Sequence, residues 1–186
     1  MRRIVPLALL AVLAAGCSSS NATPLTPAAP LEGASTETSP TPSPSSLPAT
    51  AAVGVTQEGS TENSAVKVTV LRVRQPLRAV VPGLPERAGY EYIGVEVRMC
   101  IVTDAGPEPT TVSWAPWSLT FADDTVAEAM SSWSDEWWSV PLYPQDRAVR
   151  PGSCVRGWVP FEAPKGSKPV AVNYQPSGIV LEWRVK

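Results

Sequence analysis

The residues Tyr92-Ile93-Gly94-Val95-Glu96-Val97-Arg98-Met99-Cys100-Ile101 alternate with a period of two. Ile93, Val95, Val97, Met99 and Ile101 fall on one side, and Glu96, Arg98 and Cys100 on the other. Side chains of an extended chain point alternately to opposite faces, so the pattern predicts a strand with one face in a core. So long an apolar row predicts a central place in its sheet. Upstream, Val66-Lys67-Val68-Thr69-Val70 alternates until Leu71 and Val73 take over the apolar parity, which predicts a bulge near Val70-Leu71. Downstream, Ser118-Leu119-Thr120-Phe121 runs into an Asp123-Asp124 turn. Val155, Gly157, Val159 and Phe161 then form an inward row after the Pro151-Gly152 turn. The segments 169–174 and 179–185 read as a hairpin around Pro176-Ser177-Gly178. Short strands separated by Gly/Pro turns, with almost no helical period, predict an all-β fold: an antiparallel β-sandwich over residues 61–186.

Two cysteines fit this pattern. Cys100 shares its face with Glu96 and Arg98, and Cys154 shares its face with Arg156 and Trp158, so both lie opposite the apolar rows. One ends its strand and the other begins its own, as neighbouring antiparallel strands require. A disulfide on the outward face, joining two strands of one sheet, is expected, the alternative being two free thiols in a compartment that oxidises them.

The first 60 residues differ in kind. Met1-Arg2-Arg3 is followed by an uncharged apolar run, residues 4–15, ending in small residues, which is the pattern of a signal peptide. Its 12 residues fall short of the roughly 20 that span a bilayer. The ending Leu13-Ala14-Ala15-Gly16-Cys17 resembles the bacterial lipoprotein cleavage box, with Ala14 where that box most often has Leu. The resemblance implies removal of residues 1–16 and lipidation of Cys17, hence a membrane partner through an N-terminal lipid anchor and a place on the extracytoplasmic face. From Ser18 to about Ser60 the chain is rich in Ser, Thr and Pro and lacks aromatic residues. Such a composition cannot offset the entropy of ordering, so residues 17–60 are expected to be a lipidated cysteine and a disordered stalk. As a flexible coil this stalk reaches roughly 35–40 Å.

Chemistry is constrained mainly by exclusion. The chain has no histidine, which removes the commonest general base and the commonest zinc ligand. With 15 basic and 17 acidic residues it has no global field for nucleic acid. Asp123, Asp124, Glu128, Asp135 and Glu136 could in principle supply a carboxylate pair. Their spacing selects no two of them, and solvated turn caps are the simpler reading. No cofactor, no metal and no enzymatic activity are expected.

Two candidate surfaces remain. The connection 123–150 carries Met130, Trp133, Trp137 and Trp138, with Trp114 and Trp117 shortly before it. Met130, Trp133 and Trp137 are spaced for one face of a short helix, which either caps an open end of the sandwich or forms an aromatic binding platform. Trp138, off that stripe, is expected to be the more exposed. The second surface follows if the first strand neighbours 93–101, because Lys67, Arg72, Arg74, Arg98 and Arg156 then share an outer sheet face, with Glu96 among them. Such a face is either a solvated charged surface, its field partly offset by Glu96, or one that meets anionic wall polymer or lipid headgroups.

The order of Val66-Lys67-Val68-Thr69-Val70, Tyr92-Ile93-Gly94-Val95-Glu96-Val97, Pro151-Gly152, Gly157-Trp158-Val159-Pro160-Phe161-Glu162-Ala163-Pro164 and Glu182-Trp183 resembles the telokin-like, immunoprotective-extracellular type of immunoglobulin-like domain. That type, found in Gram-positive lipoproteins behind similar stalks, implies a sandwich and brings no catalytic residues. The expectation is therefore a noncatalytic module binding a protein or envelope component at the cell surface, with a structural or spacer role as the alternative.

Overall fold

The computed structural model describes residues 50–81, 87–106, 108–132 and 134–186. The expected signal peptide, Cys17 and its lipid, the Ser/Thr/Pro stretch up to residue 49, and Trp133 lie outside the described residues. Eleven strands run in chain order as β1 (Thr50–Ala52), β2 (Thr56–Ser60), β3 (Ser64–Arg74), β4 (Tyr90–Asp104), β5 (Thr111–Val112), β6 (Trp117–Phe121), β7 (Val126–Glu128), β8 (Arg147–Ala148), β9 (Cys154–Pro164), β10 (Pro169–Tyr174) and β11 (Leu181–Arg184). One sheet has the order β2-β3-β4-β9, the second β1-β11-β10-β6-β7, and β5 pairs with β8. The strands β3, β4 and β9 take the places of A, B and E in an immunoglobulin sandwich, and β6, β10 and β11 those of C, F and G. The all-β sandwich expected from the period-two rows is the fold observed.

β4 lies between β3 and β9, and its row Ile93, Val95, Val97, Met99 and Ile101 is 0–1% exposed. Opposite it, Leu119, Val172 and Trp183 close the core from the second sheet. Burial of each aliphatic side chain contributes roughly 1.5–3 kcal/mol. The expected bulge is present, as the β3–β4 register shifts between Val70 and Arg72. One extra residue reverses the parity: Val70 faces Val97, Arg72 faces Glu96 and Val73 faces Val95. Without it Arg72 would point into the core, so the bulge is what sends Arg72 and Arg74 outward.

Two expectations are corrected. The folded domain does not begin at residue 61. β1 lies parallel to β11 through three pairs, and β2 adds to β3 from Thr56 through Ser60. These segments are small and polar because edge strands are held by backbone hydrogen bonds and by one-sided contacts. Gln57 Nε2 donates to the Glu182 carbonyl at 2.7 Å, and Trp183 Nε1 to that of Val55 at 2.8 Å. The connection 123–150 is also no single loop. It forms β7, a 3-10 turn at Asp135–Trp137 and β8; no amphipathic helix forms there among the described residues. Ser134, ahead of the turn, makes no side-chain capping bond, so nothing fixes a longer helical start.

Candidate functional site

The site grows from the outward parity of β4 and β9. Across their ladder Glu96 faces Trp158, Arg98 faces Arg156 and Cys100 faces Cys154, while β3 sets Arg72 against Glu96 and Arg74 against Gly94. Cys100 and Cys154 form the disulfide that strand parity requires. It bridges two strands of one sheet on the outer face, rather than the two sheets.

This face is apolar at one end. Trp158 is 1% exposed although it points away from the main core. It packs with Leu77, Tyr92 and Trp138 in a second hydrophobic cluster. Gly94 makes the room: a Cβ there would stand 2.9 Å from both Leu77 and Trp158. The cover comes from two segments that pair with each other, Ala79 bridging Trp138 and Val80 N–H donating to the Trp137 carbonyl at 2.8 Å. Tyr92 meets Trp138 edge to face, with ring centroids 5.1 Å apart.

Trp138 is consequently 5% exposed, which overturns the expectation that it is the exposed member of the group. Residues 137–142 fold over the outer sheet face, so off-stripe position on a helix that does not form says nothing about exposure. Trp137 is half-buried against the same cluster. Trp114 and Trp117 belong to the main core. The described tryptophans thus make no open platform.

Beside the cluster the charges are held in fixed positions. The guanidinium of Arg72 lies 5.1 Å, and that of Arg74 4.7 Å, from the Trp158 ring centroid. Glu96, 4% exposed, takes Nε of Arg72 on Oε2, and on Oε1 takes Nε of Arg156 at 2.9 Å and its Nη2 at 2.8 Å. Burial alone would push the Glu96 carboxyl up, yet the hydrogen bonds from Arg72 and Arg156 outweigh it and hold it below the ordinary carboxylate range. Lys67 is paired with Glu58 at 2.9 Å. Sequence reasoning thus found this face but missed its aromatic half. The signal was there, in Tyr92, Gly94 and Trp158 on a side that water was expected to cover.

Past Arg156 a cleft of about 460 Å³ opens between residues 144–150 and the start of β9. Arg147, Arg150, Ser153, Cys154 and Arg156 line it, and no acidic residue does. Arg147 and Arg150 had no part in the sequence reading, since they belonged to a connection read for its aromatics. The candidate carboxylates do not converge there. Asp123 accepts from the Thr125 hydroxyl at 2.7 Å and its N–H at 3.2 Å, which lowers its pKa and makes it the cap of its own turn. Among the described residues no group of three or more His, Cys, Asp or Glu is placed to hold a metal ion.

No family model matches the chain, and no curated protein matches its sequence. Three solved structures resemble its fold. A candidate lipoprotein of Bacillus subtilis has a TM-score of 0.48 at 18% identity, over 69% of this chain and 38% of that one. An uncharacterized β-sandwich protein of Clostridium difficile has 0.46 at 10% identity, over 75% and 97%. The secreted protein MPT63 of Mycobacterium tuberculosis has a TM-score of 0.59 at 16% identity, over 76% of this chain and all of that one, and at such identity the likeness is one of fold: a β-sandwich.

Proposed function

We propose that this chain is a noncatalytic extracytoplasmic module, held to the outer leaflet by a lipid on Cys17, that offers its arginine-bearing sheet face to an envelope component. The observation that carries the reading is the preorganisation of that face. Arg72 and Arg74 rest on Trp158, and Arg72 and Arg156 share Glu96, so their long side chains have already lost much of the freedom that binding would otherwise cost. The Cys100–Cys154 disulfide supports an oxidising compartment, as does the signal-peptide pattern of residues 1–17.

Cross-linking on living cells, comparing wild type with Arg74→Glu/Arg98→Glu, tests the binding role. Capture of one component by wild type and its loss in the variant is the expected outcome; equal capture sinks it. Anchoring is tested separately by Cys17→Ser, which should abolish palmitate labelling and release the protein to the medium. A spacer role is favoured by one observation, the burial of Trp138, which had been expected to be exposed. That role requires the two cross-linking profiles to match.

A further inference from the structure

We infer that the cleft between residues 144–150 and the start of β9 is an oxyanion site, and that it takes the phosphate groups of a polyanion. This rests on the reading of the outer face as a binding surface. Arg98 and Arg156 stand directly opposite each other across the β4–β9 ladder, where like charges are destabilising. The one carboxylate buried on this face, Glu96, is occupied by Arg72 and Arg156. Among the described residues Arg98, Arg147 and Arg150 have no carboxylate partner. In a chain whose formal charge is −2, such a gathering of cations is local and not a matter of composition.

One wall of the cleft is covalently fixed, since Cys154 lines it and is bonded to Cys100. Arginine, unlike lysine, presents a planar fork of donors that matches oxyanions. A carboxylate offers its acceptor oxygens in one plane, as Glu96 does to Arg72 and Arg156, whereas the oxygens of a tetrahedral phosphate meet guanidinium groups that arrive from outside one plane. Arg147, Arg150 and Arg156 reach the cleft from two separate segments. The exposed rim at Arg147, Ala148, Arg150 and Ser153 leaves a path for a chain carrying successive phosphates.

The test is binding of fluorescently labelled polyphosphate to the full chain at about 50 mM salt, with affinity expected to fall steeply as salt rises. Arg147→Ala/Arg150→Ala should weaken it about tenfold or more, and Arg147→Lys/Arg150→Lys should fall between that variant and wild type. Arg78→Ala/Arg87→Ala, which removes the same charge elsewhere, should change it less than about twofold. Matching thermal unfolding of all variants excludes misfolding. Absence of binding, or equal loss in both alanine pairs, overturns the assignment. Competing vesicles identify the source: displacement by phosphatidylglycerol but not phosphatidylcholine marks a lipid headgroup, and displacement by neither marks a soluble polymer. If polyphosphate fails while cellular capture remains sensitive to Arg74→Glu/Arg98→Glu, the phosphate assignment falls and the binding module stands. Failure of both leaves the spacer.

Discussion

Glu96 joins the two halves of the outer face, and its position makes a prediction with a definite sign. Its folded pKa lies below the ordinary value of 4.5, so its contribution to stability is full above that pH and is lost as pH falls through the folded value. Glu96→Gln should cost about 1–3 kcal/mol at neutral pH. Urea unfolding of the two proteins should converge as the medium is acidified, whereas a constant gap would mean that Glu96 acts by packing alone. Trp138 makes a second case. Its Nε1 meets no acceptor among the described residues, so the side chain stabilises by area. Trp138→Ala should lower stability by about 3–5 kcal/mol, and Trp138→Phe by about half as much. The inward members of the rows were legible from the sequence because one parity rule governs them all. Trp138 was not, because its burial depends on Leu77 and Tyr92 meeting it from distant parts of the chain.

At the scale of elements, β9 would be an open edge of its sheet were it not covered near its middle. Trp158 N–H donates to the Pro141 carbonyl and Tyr143 N–H to that of Trp158, at 3.0 and 2.9 Å, so the 141–143 segment pairs with it. Gly157 allows the approach, since a Cβ there would overlap the backbone of Leu142 and Tyr143. Gly157→Ala should therefore lift this segment, remove the hydrogen-exchange protection of the Tyr143 and Trp158 amides, and expose an edge prone to association. Unchanged protection would count against that account. The disulfide works on the same strand. It closes a separation of 54 residues, and Cys100→Ser/Cys154→Ser should reduce stability by about 4 kcal/mol in the chain-entropy model, measured as a lower urea midpoint. Strand pairing and the disulfide could be read from parity and position. The 141–143 cover could not, since its sequence has no strand period and it pairs through only a few backbone groups.

Taken whole, the molecule is closed by a segment that composition had assigned to the stalk. β1 belongs to one sheet and β2 to the other, so residues 50–60 bridge both layers. A chain beginning at Pro44 should fold as stably as the full protein, while one beginning at Thr61, which lacks both strands, should unfold at a lower temperature. Equal melting would make β1 and β2 dispensable. The boundary was hard to place because Thr50-Ala51-Ala52 has too little apolar content to announce a strand, and what it contributes is backbone pairing. Its direction carries a further consequence. β1 lies parallel to β11 through Thr50–Glu182, Ala51–Trp183 and Ala52–Arg184, three pairs in line along one axis. A pull on Thr50 along the strand axis shears all three pairs together instead of peeling them one by one, so this sheet edge is also a mechanical clamp.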